Sequence, residues 1–486
     1  MTFNFRLTMY KPTIGLEIHS ELATQTKMFC DCANDPSEIN PNTNVCPICL
    51  GHPGTLPKAN KKAVDFVIKT GLALNCRINR FSKFDRKNYF YPDLPKAYQI
   101  SQYDKPLCEE GWMILPSNGK KIRITRIHLE EDTGSLSHSI DGKHSLVDFN
   151  RAGVPLMELV TEPDFNSAQD VVEFAQEFQL ILRTIGVSSA DMDKGQLRIE
   201  ANTSIAKEGE SLGTKVEVKN LNSFKAVGSS IAYEIERQEK AILDGEKIKQ
   251  ETRGWDESKQ KTVSQRSKEG AHDYRYFPEP DLPPMTFDDE YINRIKADLP
   301  ELPNQKRERF SSEYNLSESQ VEILVRNPEL AEFFENAVSE LKSISKSANP
   351  EMVYNYLSSD VRGLEADRGM TISQSKLVPL HIAQIVSLIG DEKISSRVAK
   401  DILARSFDEG VSPEEIVQQE GLLQVSSENE LESVVKEVID VNDKVWYDYK
   451  SGKENALQFL IGQVMAKTKG KANPAVVREL FKKMIS

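Results

Sequence analysis

After Cys108 the chain has no further cysteine, and His381 is the only histidine beyond His272. Thiol and imidazole chemistry is therefore confined to the N-terminal part. Nowhere do 18 apolar residues run together, which excludes a membrane-spanning helix. Met1 to Thr13 lacks the apolar block and small-residue cleavage site of a secretion signal, so the expected location is the cytoplasm or an organellar matrix. Positive charge is scarce as well. The 62 Lys and Arg stand against 74 Asp and Glu, a net charge of -12. Affinity for polyanions in general comes from basic side chains displacing counterions, so any RNA contact must be local. One candidate is the stretch 451–486, with seven basic residues against two acids, among them Lys467, Lys469 and Lys471. Also absent are the Gly-x-x-x-x-Gly-Lys-[Ser/Thr] phosphate loop, Gly-x-Gly-x-x-Gly and the Gly-x-Ser-x-Gly nucleophile turn. There is no internal repeat.

The 486 residues exceed one ordinary core and predict three domains. From Lys11 to about Phe287, β-rich runs alternate with Gly, Pro and Asn turns, with helices expected over 60–75, 167–185 and 225–245. This reads as an α+β domain over 1–290. The proline-rich run from Phe277 to Pro284 cannot lie inside a helix and marks its end. Helical spacing then dominates, as in Val321, Leu324 and Val325, giving an all-helical domain over 291–410. A third, helical domain over 411–486 begins with Ser412 as N-cap and Pro413 at the first helical position.

Four cysteines form two close pairs, Cys30-x-Cys32 and Cys46-Pro-Ile-Cys49. Each pair can turn its sulfurs toward one point, and four thiolates satisfy a tetrahedral, structural Zn²⁺. Four unrelated core cysteines are the alternative. Cys76 and Cys108 have no partner spacing and read as small buried apolar residues.

Acids recur where strands are expected. In Ile14-Gly15-Leu16-Glu17-Ile18-His19-Ser20-Glu21, alternation puts Glu17, His19 and Glu21 on one face. The run from Ile122 ends in Glu130, Glu131 and Asp132, and Glu158 stands alone in the apolar Val154 to Val160. Arg198 and Glu200 share one strand face, as do Lys215, Glu217 and Lys219 on the next. Either this is the solvated face of a sheet, or it is a platform with acids for metal and bases for phosphate. Any ATP would be held through Mg²⁺ on carboxylates, helped by bases such as Arg151, Arg198 and Lys219.

Longer motifs go further. Gly15-Leu16-Glu17-Ile18-His19, Lys83 to Asp93, His128-Leu129-Glu130-Glu131-Asp132, Asn150-Arg151-Ala152-Gly153-Val154-Pro155-Leu156, Lys219 to Phe224 and Asp273 to Asp281 closely resemble the GatB/GatE family of tRNA amidotransferase subunits. The C-terminal Asn455 to Pro474 resembles that family's YqeY-type tail, and the chain has no room for the inserted domain of the E branch. The resemblance implies a glutamine-synthetase-like first domain, a helical middle and a tRNA-binding tail. It implies Mg²⁺ ligands at His19, Glu131 and Glu158, with Glu17 and Glu130 beside them. Its implied activity is ATP-dependent activation of the side-chain carboxylate of misacylated Glu-tRNA(Gln) or Asp-tRNA(Asn), followed by amidation. No amidase signature is present, so ammonia would come from glutamine hydrolysed by a partner, the A-type amidase subunit, in an assembly that also holds a small C-type subunit. Arg86 and Lys87, among the aromatics of 86–103, would face the tRNA acceptor end, or else pack as an aromatic-proline loop. A noncatalytic zinc-stabilised tRNA adaptor is the rival reading.

Overall fold

The computed structural model describes residues 10–139, 141–267, 273–345, 349–423, 428–468 and 470–485. Its strands are β1 Tyr10–Glu21, β2 Arg77–Ile78, β3 Phe81–Ser82, β4 Asp85–Asn88, β5 Tyr98–Ser101, β6 Cys108–Ile114, β7 Lys121–Glu131, β8 Ser135–His138, β9 Ser145–Asp148, β10 Pro155–Thr161, β11 Leu197–Lys207, β12 Val216–Leu221, β13 Glu251–Asp256, β14 Lys261–Ser267, β15 Phe277–Pro278 and β16 Met285–Thr286. Nine of them form one sheet in the order β14-β13-β12-β11-β1-β10-β7-β6-β2. All neighbours are antiparallel except β12 and β13.

Three helices of this first unit lie close to the expected spans: α1 Lys61–Ala73, α2 Ala168–Thr184 and α3 Phe224–Leu243. Each starts on a side-chain cap, Asn60, Ser167 and Ser223, whose oxygen accepts from a first-turn amide. The helices supply Val67, Phe174, Phe178 and Ile231 to one core with Leu16 and Ile18 of β1, Ile127 and Leu129 of β7, Met157 and Leu159 of β10 and Ile199 of β11. Strand period two explains the consequence. When Leu16 and Ile18 face the helices, Glu17 and His19 must face the other way. Cys76 and Cys108 are buried in this core, as their lack of partner spacing predicts.

Packing divides the chain into two compact units, Met1–Asn304 and Gln305–Ser486. The helix α4, Asp289–Ala297, adds Ile292 and Ile295 to the first core. The second unit is helical: α5 Pro303–Tyr314, which begins at the unit boundary, α6 Glu318–Val325, α7 Pro328–Ile344, α8 Pro350–Asn355, α9 Arg362–Arg368, α10 Pro379–Gly390, α11 Ser396–Glu409, α12 Pro413–Glu420, α13 Glu428–Val441, α14 Asp443–Lys450, α15 Glu454–Lys467 and α16 Pro474–Lys483. Ser412 and Pro413 stand at the start of α12 as predicted, and α12 packs on α10 and α11. From Leu431 onward the last helices close a core of their own around Val435, Leu460, Val464 and Phe481. No helix among the described residues is long and apolar enough to cross a membrane.

Candidate cation site on the open sheet face

Register assembles this site from four strands. On β1, His19 is opposite Glu158 of β10 and, on its other side, opposite Arg198 of β11. Glu158 is in turn opposite His128 of β7. One row, His128-Glu158-His19-Arg198, thus crosses the middle of the sheet, and Glu130, two residues past His128, joins it from the same face. His19 Nε2 is 3.2 Å from Oε2 of Glu158 and 3.7 Å from Oε1 of Glu130. Arg126 approaches Glu158 at 3.6 Å, and the Ser101 hydroxyl donates to Oε2 of Glu130 at 3.1 Å.

Two carboxylates this close need positive charge among them. Burial alone would lower the basicity of His19, yet the hydrogen bond and charge of Glu158, with the charge of Glu130, raise its pKa to about 9. Burial would raise Glu158 and Glu130, but their histidine neighbours hold both below the ordinary carboxylate range. Lys87 points its charge here too. Burial opposes its protonation, and the fields of Glu130 and Glu158 overcome that and push its pKa up. One donor atom each from His19, Glu130 and Glu158 lie within 4.8 Å of one another. Two carboxylates and an imidazole suit a hard divalent cation such as Mg²⁺, so the residues present fit the implied metal.

The family resemblance implied Glu131 in this trio with Glu130 beside it, and the fold puts Glu130 there instead. The reason is strand alternation: on β7, His128 and Glu130 share the open face, while Leu129 and Glu131 turn away from it. Glu131 is bound elsewhere, with Oε2 2.7 Å from Lys96 Nζ and Oε1 accepting from the Ile100 amide at 2.9 Å. It lines a cavity of about 230 Å³ with Lys96, Arg86, Asp281, Cys30 and Cys49.

A second row lies beside the first. Glu17 is opposite Glu200, and carboxylate oxygens of Glu17, Glu200 and Glu217 also come within 4.8 Å of one another. Lys219 Nζ is 2.8 Å from Glu200. Burial, then the charges of Glu158, Glu200 and Glu217, raise the pKa of Glu17. Arg198 and Arg151, expected on phosphate, both reach Asp132, at 2.6 and 3.6 Å. Arg151 also donates to the carbonyls of Thr133 and Gly134.

The aromatic segment is split between two roles. Arg86, expected to meet RNA, gives both arms to Glu279 at 2.6 and 2.8 Å and stacks over Tyr98. Lys87 lies over Tyr274 and belongs electrostatically to the carboxylates. Phe90, Tyr91 and Tyr103 remain exposed. In the C-terminal unit, Lys467 pairs with Glu437, Lys471 is partly buried, and Lys469 lies outside the described residues.

The four cysteines converge as their spacing predicts. Sulfurs of Cys30, Cys32, Cys46 and Cys49 lie within 4.8 Å of one another, a donor set that fits Zn²⁺. The Cys46 amide donates to Cys49 Sγ at 3.1 Å. Lys27, fully buried, lies 3.8 Å from the same sulfur and donates to the Phe149 carbonyl at 3.2 Å. Composition missed Lys27, Lys96 and His128. Only the last had a signal, its place two residues before Glu130 on a strand.

A family model described as the GatB/GatE catalytic domain matches residues 12–293, and one described as the GatB domain matches residues 332–485. The B subunit of the aspartyl/glutamyl-tRNA(Asn/Gln) amidotransferase of Thermotoga maritima is 47% identical over 98% of this chain and 99% of its own length. The proteins of the same name from Thermoanaerobacter pseudethanolicus and Persephonella marina are each 48% identical over the same shares.

Proposed function

Because the chain belongs to the GatB/GatE family of aspartyl/glutamyl-tRNA(Asn/Gln) amidotransferase B subunits, we propose that it activates the side-chain carboxylate of a misacylated tRNA with ATP and passes it to ammonia. The observation that carries this reading is the convergence of His19, Glu130 and Glu158 on the open sheet face, flanked by Lys87 and Arg198.

Mg²⁺ would be held by His19, Glu130 and Glu158, with Glu17 beside them and Glu131 one face away. A cation bound there would neutralise phosphate oxygens and draw electrons from the transferring phosphoryl group. Arg151 and Arg198 beside Asp132, and Lys219 beside Glu200, would turn the donors those partners leave free to phosphate, and Lys87 faces the negative charge that gathers on the reacting carboxylate. The γ-phosphoryl group moves to the side-chain carboxylate of Glu-tRNA(Gln) or Asp-tRNA(Asn) as its bond to the β-phosphate oxygen breaks and ADP leaves. Ammonia then attacks the side-chain carbonyl carbon, phosphate leaves and the nitrogen loses a proton, giving Gln-tRNA(Gln) or Asn-tRNA(Asn).

Ammonia would arrive from glutamine hydrolysed by the A-type amidase subunit, in a heterotrimer completed by a small C-type subunit, within a bacterial cytoplasm or an organellar matrix. The catalytic cradle covers 1–290, the helical domain 291–410 and the tRNA-binding tail 411–486, where Lys467, Lys469 and Lys471 would meet RNA. Zinc at the four cysteines would be structural, since four protein ligands leave no open position.

Glu158→Gln in the assembled complex is expected to abolish ATP- and ammonia-dependent amidation while tRNA binding persists. Amidation at the wild-type rate would overturn the assignment and favour a noncatalytic adaptor.

A further inference from the structure

One buried polar side chain on the open face has no role in the reaction so far. His128 is 5% exposed, and its Nδ1 has no hydrogen-bond partner among the described residues. It stands opposite Glu158 in the β7–β10 register and two residues before Glu130. Its Nε2 is 3.5 Å from Oε2 of Glu158 and 3.7 Å from Oε2 of Glu130. On the other flank, His19 Nε2 contacts the same Glu158 oxygen and the opposite oxygen of Glu130. Two imidazoles therefore bracket one pair of carboxylates.

Their situations differ. His19 is more exposed, at 18%, and lies mid-row between Glu158 and Arg198. His128 sits behind the carboxylates, close to both at once. The acceptors near its ring are the Glu130 and Glu158 oxygens at Nε2, whereas Nδ1 faces none, so Nε2 is the ring nitrogen placed to donate. Two carboxylates without such a donor repel and swivel apart. A donor shared between them offsets the repulsion and restricts their rotation before a cation arrives.

We infer that His128 is a positioning residue, whose Nε2–H holds the carboxylates of Glu130 and Glu158 at the separation a divalent cation requires. The inference rests on the proposed cation site, and the test separates the two. Mn²⁺ is titrated into the full-length chain and the free ion is read by electron paramagnetic resonance, with zinc content reporting that the cysteine-bearing part of the same unit is intact. His128→Phe keeps a ring and removes the donor, and it is expected to weaken Mn²⁺ binding by roughly 10–100-fold, as loss of an outer-shell partner does. His128→Gln restores an N–H donor and is expected to recover most of that affinity. His19→Ala, which removes a ligand, is expected to lose binding altogether. If His128→Phe binds like the wild type while His19→Ala does not, His128 positions nothing. A Gln variant as weak as the Phe variant would show that packing, not the donor, matters, and would overturn the inference too. Unchanged binding in His19→Ala would remove the cation site itself.

Discussion

Two of the three clusters that could hold a metal among the described residues, the cysteines and the His19 group, are built in opposite ways. The cysteine cluster takes two ligands from each of two short segments, 30–32 and 46–49. The carboxylate cluster takes one ligand from each of three strands, β1, β7 and β10, which are far apart in sequence and adjacent only through their hydrogen-bonded register. Local spacing is enough to nominate the first. For the second, a shift of one residue along any strand exchanges one face for the other, and with it the ligand. The cost of misplacement also differs. A cysteine pair rides on a turn that can adjust, whereas Glu130 and Glu158 are fixed by a ladder whose far side is the main core.

The largest predicted effect comes from breaking that distinction at adjacent residues. Glu130→Gln is expected to reduce amidation and Mn²⁺ affinity by more than the roughly 100-fold upper range of an outer-shell loss, because it removes a ligand. Glu131→Gln is expected to leave Mn²⁺ affinity nearly intact, since that side chain is bound to Lys96 and the Ile100 amide. Reversed effects in a Mn²⁺ titration would restore the trio expected from sequence. Next in size is the cysteine cluster. Cys49→Ser should release the zinc to a chromogenic chelator and lower the thermal midpoint, while Mn²⁺ binding at the sheet survives in the fraction still folded. Loss of both metals together would join the sites into one.

A smaller effect follows from His19 in the metal-free protein. Its folded pKa of about 9 exceeds the ordinary 6.5. The stabilisation is therefore complete below about pH 6.5 and is lost as pH rises through 9, by ~3 kcal/mol at most. Urea unfolding of the wild type and His19→Asn across that window measures it, and parallel curves would remove the Glu158 pairing as a source of stability. The smallest effect is expected at Lys27→Met, which takes one donor from the Phe149 carbonyl and one from the Cys49 sulfur and leaves them the Ala152 and Cys46 amides. About 1–3 kcal/mol of stability should be lost, together with faster zinc release, and no change in either would make Lys27 mere filler.

Much of the first unit is legible in the order of its residues. Leu16, Ile18, Ile127 and Leu129 alternate with polar residues because one sheet face meets helices and the other does not. Helix starts at Asn60, Ser167 and Ser223 announce themselves through short polar caps. The same pattern nominates Glu17, His19 and Glu158. It cannot choose between Glu130 and Glu131, because both are acids at a strand end and alternation counts only once the start of the count is known. It leaves Arg86 between an RNA contact and a packed aromatic-proline loop because a guanidinium's partner, here Glu279, lies 193 residues away. His128 belongs to a motif yet gains no role from it, since a histidine's work depends on what stands opposite it.

What the amino-acid order determined by itself was local: period, caps, proline stops and the cysteine pairs, all set within a few residues by backbone geometry and ligand reach. What the tertiary structure alone decided was which side chains meet. The row His128-Glu158-His19-Arg198 exists because four strands pair in one register, and register is fixed by burying the opposite face against α1, α2 and α3, a many-body balance that no single strand contains.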